Sequence, residues 1–374
     1  MSTGAAPLRQ LDPTASGELR RTAEEILTAA GTSTASPEVL RHVARAAAGL
    51  SEGVRHHCRP VDTAEGLFVL SGLEVDDAGI GPTPATWATA GDSAAVHDIA
   101  LLLLATLMGN PIGWEGQQDG RFVHNIVPSP GHEQAQTGAS STVLLSPHTE
   151  DAFHPGRAHV LILGCMRNHD KVATTAASIR EVRLSQADIA ELSRPALPIL
   201  PDDAYFQNHG LVWQPQPVPT VWAGEDGLTL RFDPAYTPLE EATPGYRAAY
   251  ARLERELIRV SRAVTLAPGE VLVIDNDLVV HGRVPFQARY DGTDRWLKRA
   301  SVRVPGRRTR PPAETGEHGY GQKAVEAYSS ISSISSTSPS SSCPTAVRPG
   351  PARRRTERAP HLTTASLHPR EELI

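Results

Sequence analysis

Apolar positions along the chain follow two different periods. Between Gly17 and Ala30, and again between Pro37 and Leu50, they recur every three or four residues, which predicts two amphipathic helices. Ser36 ahead of Pro37 is suited to cap the second, since its hydroxyl can accept a free N–H and proline tolerates the first turn. Ile99 to Met108 is the most apolar stretch, preceded by His97 and Asp98. It is half the roughly 20 residues that a membrane span needs. It reads as a buried core helix running from Asp92 or Ser93 to a stop at Gly109-Asn110-Pro111. Pro244 to Val264 carries Tyr246, Tyr250, Leu253, Leu257, Val260 and Val264 on one stripe and predicts a surface helix. Ser185 to Leu192 predicts a short one, with Ser185 and Asp188 placed for a capping box.

The remaining apolar runs are short and bounded by turn formers, as strands are. They are Gly66–Leu73, Phe122–Val127, Ser141–Ser146, Ala158–Met166, Leu228–Phe232 and Ala300–Val304. Val271–Asp275 and Leu278–Gly282, separated by Asn276-Asp277, predict a tight hairpin. Helices at the front followed by many short strands suggest an α+β protein built around a β-sandwich or jelly roll.

Composition narrows the class. The 374 residues could hold two or three domains on length alone. Thirty glycines, 31 prolines and 5% aromatics fit neither a collagen-like chain nor a helical rod. The net charge of −6 is unevenly spread, because the stretch from Gly306 to Ile374 carries ten basic and six acidic residues. The part before it therefore holds −10. Such an acidic body argues against a nonspecific grip on nucleic acid. Three widely spaced cysteines (Cys58, Cys165 and Cys343) argue against a disulfide framework and suit a reducing cytoplasm. The N-terminal residues contain no apolar signal-peptide region, and no stretch predicts a membrane anchor. Ser329 to Ser342 has ten serines in fourteen positions and is followed by a Pro/Arg-rich stretch, so Arg307 onward is expected to be mostly disordered.

Candidate chemistry begins at Ser146-Pro-His148-Thr-Glu150-Asp-Ala-Phe-His154-Pro155. On an extended segment His148 and Glu150 face the same side, so an imidazole and a carboxylate can reach one metal. With fifteen histidines, about one such pair is expected by chance, so the doublet alone carries little weight. His281, on a distant strand, would complete a set of two histidines and one carboxylate that leaves three positions open, the facial triad of nonheme Fe(II) oxygenases. Arg295 lies fourteen residues past His281, where its fork could take the far carboxylate of a metal-bound 2-oxo acid.

These segments resemble the clavaminate synthase-like branch of the Fe(II)/2-oxoglutarate-dependent oxygenases, the group with asparagine and arginine β-hydroxylases. The likeness runs from about Phe68 to Val304. It is carried by Gly113-Trp-Glu-Gly-Gln117-Gln-Asp-Gly-Arg-Phe-Val-His-Asn-Ile-Val-Pro128, His148-Thr-Glu150-Asp-Ala-Phe-His-Pro155 and Leu163-Gly-Cys-Met-Arg-Asn168. Val172-Ala-Thr174-Thr175, His281-Gly and Asp294-Arg-Trp-Leu-Lys-Arg299 complete it. The resemblance implies a double-stranded β-helix (jelly-roll) core with flanking helices. It makes residues 1–305 a single oxygenase domain, with the core from about 66 and a disordered Ser/Pro/Arg-rich tail over 306–374.

It further implies that His148, Glu150 and His281 hold Fe(II), with 2-oxoglutarate and O2 as cosubstrates. Arg295 would pair with the C5 carboxylate of 2-oxoglutarate, and a threonine of the Thr174-Thr175 pair, Thr174 favoured, would add a hydroxyl. Gln117 would contact the substrate, and Arg299 would take its α-carboxylate. Relatives acting on guanidino substrates place acids around Leu230-Arg-Phe-Asp233-Pro-Ala235-Tyr236. Here Asp233 is present and the position two further on is Ala235. The expected activity is stereoselective Cβ hydroxylation of a free L-amino acid, L-arginine or a guanidino relative first, in specialised metabolism such as antibiotic biosynthesis. Competing readings are oxidative cyclisation or desaturation, hydroxylation of L-asparagine or another polar amino acid, a zinc hydrolase using the same three ligands, and a non-catalytic binding module.

Overall fold

The computed structural model describes residues 5–201, 216–314, 319–321 and 323–328. The first helices form where the apolar period places them. Helix α1 (Pro13–Ala30) starts at Asp12, whose carboxylate accepts the Ala15 N–H, and α2 (Pro37–Gly49) starts at Ser36. A short α3 (Glu52–His57) leads to strand β2 (Leu67–Ser71), which pairs in parallel with β1 (Leu8–Gln10). Helix α4 (Ala95–Met108) is the uninterrupted apolar stretch. It is buried nearly all round because α1 and α2 cover one side and a sheet the other.

The strands divide between two sheets. The larger runs β1-β2-β11-β6-β13-β3-β14, with β4 (Val123–Ile126) also paired to β13. Its other members are β3 (Asn110–Trp114), β6 (Val160–Arg167), β11 (Val271–Asp275), β13 (Trp296–Arg303) and β14 (Ala324–Glu326). The smaller runs β10-β7-β12-β5, made of β5 (Leu145–His148), β7 (Thr174–Ser178), β10 (Arg262–Val264) and β12 (Val279–Arg283). A separate ribbon pairs β8 (Val221–Gly224) with β9 (Gly227–Leu230). Helix α5 (Gln186–Leu192) packs on α6 (Pro244–Val260).

Alternation along the central strands shows how the layers stack. Val160 and Ile162 of β6 join the core under α1, α2 and α4, whereas Leu161, Leu163 and Cys165 join the core shared with the smaller sheet and α6. β11 divides the same way, Val271 and Val273 against Leu272 and Ile274. A strand buried on both faces has no polar alternation, which is why these segments read as unbroken apolar runs. The result is a two-sheet jelly roll flanked by helices. Within the second core Leu253 of α6 is fully buried, and Leu253→Ala should cost about 2–5 kcal/mol of unfolding free energy in chemical denaturation.

Several expectations change. The predicted hairpin at Asn276-Asp277 does not form: β11 lies between β2 and β6, while β12 lies between β7 and β5. The dipeptide is the crossing from one sheet to the other, fully buried, with its side chains bonded inside the protein. The strand expected over Ser141–Ser146 is Leu145–His148. Helix α6 ends at Val260, because Arg262–Val264 pairs with β7. β13 begins at Trp296 rather than Ala300, since Lys298 is buried in the strand 2.6 Å from Asp98.

Beyond the composition change at Gly306 the described residues of the stretch expected to be mostly disordered bond to the body. Arg307 and Arg308 reach Asp275, Arg157 grips Glu314, and β14 pairs with β3. Local composition could not register these bonds, because each basic residue answers a buried acid distant in sequence. The serine tract of 329–342 lies outside the described residues.

Candidate active site

Antiparallel pairing of β12 with β5 sets His281 directly opposite His148, and their ring centres are 4.4 Å apart. β5 ends at His148, so no ladder holds Glu150. Its main chain is carried by other groups: the Glu150 N–H donates to Asn276 Oδ1 (2.9 Å), and Asn276 Nδ2 donates to the Glu150 carbonyl (3.0 Å). The neighbouring Thr149 N–H donates to the Phe232 carbonyl (2.7 Å). The Glu150 carboxylate then lies 3.2 Å from His281 Nε2 and 3.9 Å from His148 Nε2. One nitrogen from each ring and one carboxylate oxygen all fall within 4.8 Å of one another.

The surroundings suit a divalent cation. His148 Nδ1 sits 2.8 Å from the Ser146 carbonyl, so Nδ1–H donates there and the Nε2 lone pair is left toward the triad. Burial, and next the His281 imidazole, lower the His148 pKa, which favours the neutral ring that ligates metals. Burial alone would raise Glu150, but the Arg299 guanidinium and the two imidazoles outweigh it and hold the carboxyl well below its usual range. Two imidazoles and one carboxylate form a donor set matched to nonheme iron.

The triad lines a cavity of about 560 Å³, within the range of small-molecule sites. Gln117, Thr174, Asp233, Arg295 and Arg299 line it too, so every site residue expected from the sequence meets in one space. Arg295, immediately before β13, and Arg299 within it are four apart and line the cavity together with Leu297. Arg295 Nη2 donates to Thr174 Oγ1 (2.8 Å), while its buried Nε has no partner among the described residues. Thr174 faces the cavity and Thr175 does not line it, which separates the two threonines. Burial, and then the nearby Arg283 charge, lower the Arg295 pKa to about 10, so it remains a cation at neutral pH. Gln117 Oε1 is likewise buried without a partner among the described residues.

Arg299 and Asp233 both have bonds within the protein. Arg299 donates to Glu150 and, at 3.0 Å, to His124 Nδ1. His124 Nε2–H donates to the Arg121 carbonyl (2.9 Å), and burial together with Arg299 lowers its pKa to about 3. Asp233 Oδ1 accepts the Ala235 N–H (3.1 Å), so it caps its turn as well as facing the cavity.

Three contributors are not evident from the motifs alone. Arg283, two past His281 and therefore on its side of β12, lines the cavity and donates to main-chain carbonyls of Ser140, Ser141 and Val143. The period-two rule is the signal that could find it. His124 lies inside a motif but has no role that its neighbours in sequence announce. Asn276 has no signal, because its work depends on the crossing between sheets.

Residues 97–301 match the model of the taurine catabolism dioxygenase TauD, TfdA family. The chain belongs to that family. It is 38% identical over 262 residues to enduracididine beta-hydroxylase of Streptomyces hygroscopicus, covering 63% of this chain and 76% of that protein. The non-heme iron oxygenase OrfP, solved with Fe, succinate and (3R,4R)-dihydroxy-L-Arg, superposes with a TM-score of 0.70 at 37% identity, over 79% of this chain and 94% of OrfP. Asparagine oxygenase, solved with Fe(II), (2S,3S)-3-hydroxyasparagine and succinate, gives 0.72 at 30% identity, over 79% and 93%. The enzyme is accordingly a nonheme Fe(II)/2-oxoglutarate-dependent dioxygenase with O2 as second cosubstrate, not a zinc hydrolase. No helix among the described residues is long and apolar enough to cross a membrane.

Proposed function

We propose that this enzyme hydroxylates a free L-amino acid at Cβ, with L-arginine or a close guanidino relative as the preferred substrate. The observation that carries this reading is the meeting, in one cavity, of the histidine–glutamate triad, a buried arginine with an unanswered N–H, and Asp233. Enduracididine beta-hydroxylase and the OrfP complex with a dihydroxyarginine make a cationic side chain the first choice.

His148, Glu150 and His281 would hold Fe(II). Bound iron with 2-oxoglutarate and O2 supplies the oxidising power that replaces a C–H by C–OH while the cosubstrate becomes succinate and CO2. The chain's own task is to position and to shield. Arg295 and Thr174 would take the C5 carboxylate of 2-oxoglutarate, a charged group in a dry site where a paired guanidinium is needed. Arg299, already against Glu150, would present its guanidinium to the substrate's α-carboxylate, and Gln117 its carboxamide to the α-amino end. Asp233 would neutralise the far end of the side chain.

Mass spectrometry of an amino-acid panel incubated with Fe(II), 2-oxoglutarate and O2 tests the proposal. A gain of one oxygen on arginine is expected. Succinate release with none of the amino acids would overturn it, and a loss of two hydrogens would redirect it to desaturation or ring closure. The asparagine oxygenase superposition makes L-asparagine the second candidate. Asp233→Asn removes the charge and is expected to raise KM for arginine by about 10- to 100-fold, the worth of one charge-assisted hydrogen bond, while leaving asparagine turnover nearly unchanged. Equal losses on both substrates would deny Asp233 a role in side-chain choice.

A further inference from the structure

Glu150 is the one member of the triad outside a β-strand, and its main chain is held by a side chain from the far side of the fold. Asn276 clamps both its N–H and its carbonyl, and also donates to the Ala158 carbonyl (3.1 Å), so it pins both ends of the loop that follows the triad. Asn276 is fully buried between Asp275 and Asp277, which are fully buried too.

Two carboxylates cannot rest there without cations, since an unpaired buried charge costs several kcal/mol. Most of the cations come from the chain just past the last core strand. Asp275 Oδ2 accepts from Arg307 (2.7 Å) and Arg308 (2.5 Å). Arg310 reaches Asp277 (3.4 Å) and donates to the Pro155 (2.6 Å), Arg157 (3.1 Å) and Ala158 (3.3 Å) carbonyls of the same loop. Glu314 then closes the segment by a two-bond grip from Arg157 (2.9 and 3.1 Å). The stretch from Arg307 to Glu314 is thus a strap over the sheet crossing, holding the acids on either side of the residue that bonds the Glu150 main chain.

We propose that Asn276 is a positioning residue for Glu150 and that the strap Arg307–Glu314 holds Asn276 rigid enough to do so. The strap lies in the compositionally foreign end of the chain, and none of its residues lines the cavity. The inference rests on the reading of Glu150 as a metal ligand.

Full-length protein is titrated with Mn(II) by equilibrium dialysis, and the Co(II) form is followed by visible absorption, which reports the geometry of the donors without turnover. Asn276→Ala is expected to weaken Mn(II) binding by about 10- to 100-fold, as loss of outer support for metal ligands does. Asn276→Asp, which keeps the acceptor for the Glu150 N–H but loses both donors, should fall between it and the unaltered chain. Arg310→Lys keeps the charge and cannot span three carbonyls; it is expected to weaken binding by about threefold or more and shift the cobalt bands in the same sense. Leu253→Ala serves as the comparison, lowering Tm while leaving affinity and spectrum in place. If Asn276→Ala fails to fold, the Asp and Lys variants decide. Variants that lose Tm like Leu253→Ala yet keep metal affinity and cobalt bands would overturn the inference. Failure of the unaltered chain to bind Mn(II) would overturn the metal-site reading itself.

Discussion

His281→Ala is expected to abolish stoichiometric iron binding and to cut succinate release by about a thousandfold or more, equivalent to at least about 4 kcal/mol of barrier lowering. The reason lies in the register. His281 sits opposite His148 on the adjacent strand and 3.2 Å from the Glu150 carboxylate, so its imidazole is the donor that turns a two-ligand pair into a closed face. Without it, Glu150 keeps its pairing to Arg299, and the remaining pair of donors has little hold on a weakly bound metal. The fold should survive, because β12 keeps its ladder to β7 and its neighbours Val279 and Val280 keep their place in the core. Iron content per chain, circular dichroism and succinate release measured together test this. A variant that binds one iron per chain and turns over within tenfold of the unaltered enzyme would remove His281 from the triad.

Arg295→Leu is expected to raise the Kd for 2-oxoglutarate by about 100- to 1,000-fold while leaving iron affinity unchanged. A buried carboxylate that loses two charge-assisted hydrogen bonds forfeits about 3–4 kcal/mol. Two observations single out Arg295 for that task. Its Nη2 is oriented by Thr174, and its Nε is buried with no partner among the described residues, a deficit that a dicarboxylate would relieve. Thr174→Val removes only a neutral hydroxyl contact and should cost about tenfold or less. Thr175→Val, one residue away on a position that does not line the cavity, should leave the affinity within about twofold. Anaerobic titration of the Fe(II) enzyme with 2-oxoglutarate, followed by absorbance, measures all three. Equal losses at Thr174 and Thr175, or unaltered affinity in Arg295→Leu, would relocate the carboxylate.

Most of the site is legible in the amino-acid sequence because its pieces follow short-range rules. A period of two running from Arg295 into β13 turns Arg295 and Arg299 to the same cavity, and the same rule adds Arg283 next to His281. The unbroken run of α4 announces burial on all sides, and Ser36 and Ser185 mark the starts of their helices. Where local rules mislead, a distant partner overrides them. Asn276-Asp277 has the composition of a solvent-exposed turn, yet it is buried because Asn276 holds the main chain of Glu150 and the acids beside it meet arginines. Charged residues in Trp296–Arg299 hide the start of β13, because the burial of Lys298 depends on Asp98 from α4.

The order of residues alone specifies the chemistry on offer: two histidines and a glutamate suited to a metal, an arginine suited to a carboxylate, and one acid, Asp233, suited to a basic substrate. How these are held is a matter for the fold. It sets Thr174 rather than Thr175 toward the cavity, Arg299 against Glu150, a sheet crossing in place of a hairpin, and a basic segment past Gly306 as a strap on that crossing. Periodicity and side-chain chemistry are local properties, carried by neighbouring residues. The cost of a buried charge or an unpaired N–H is settled only by what the folded chain brings against it.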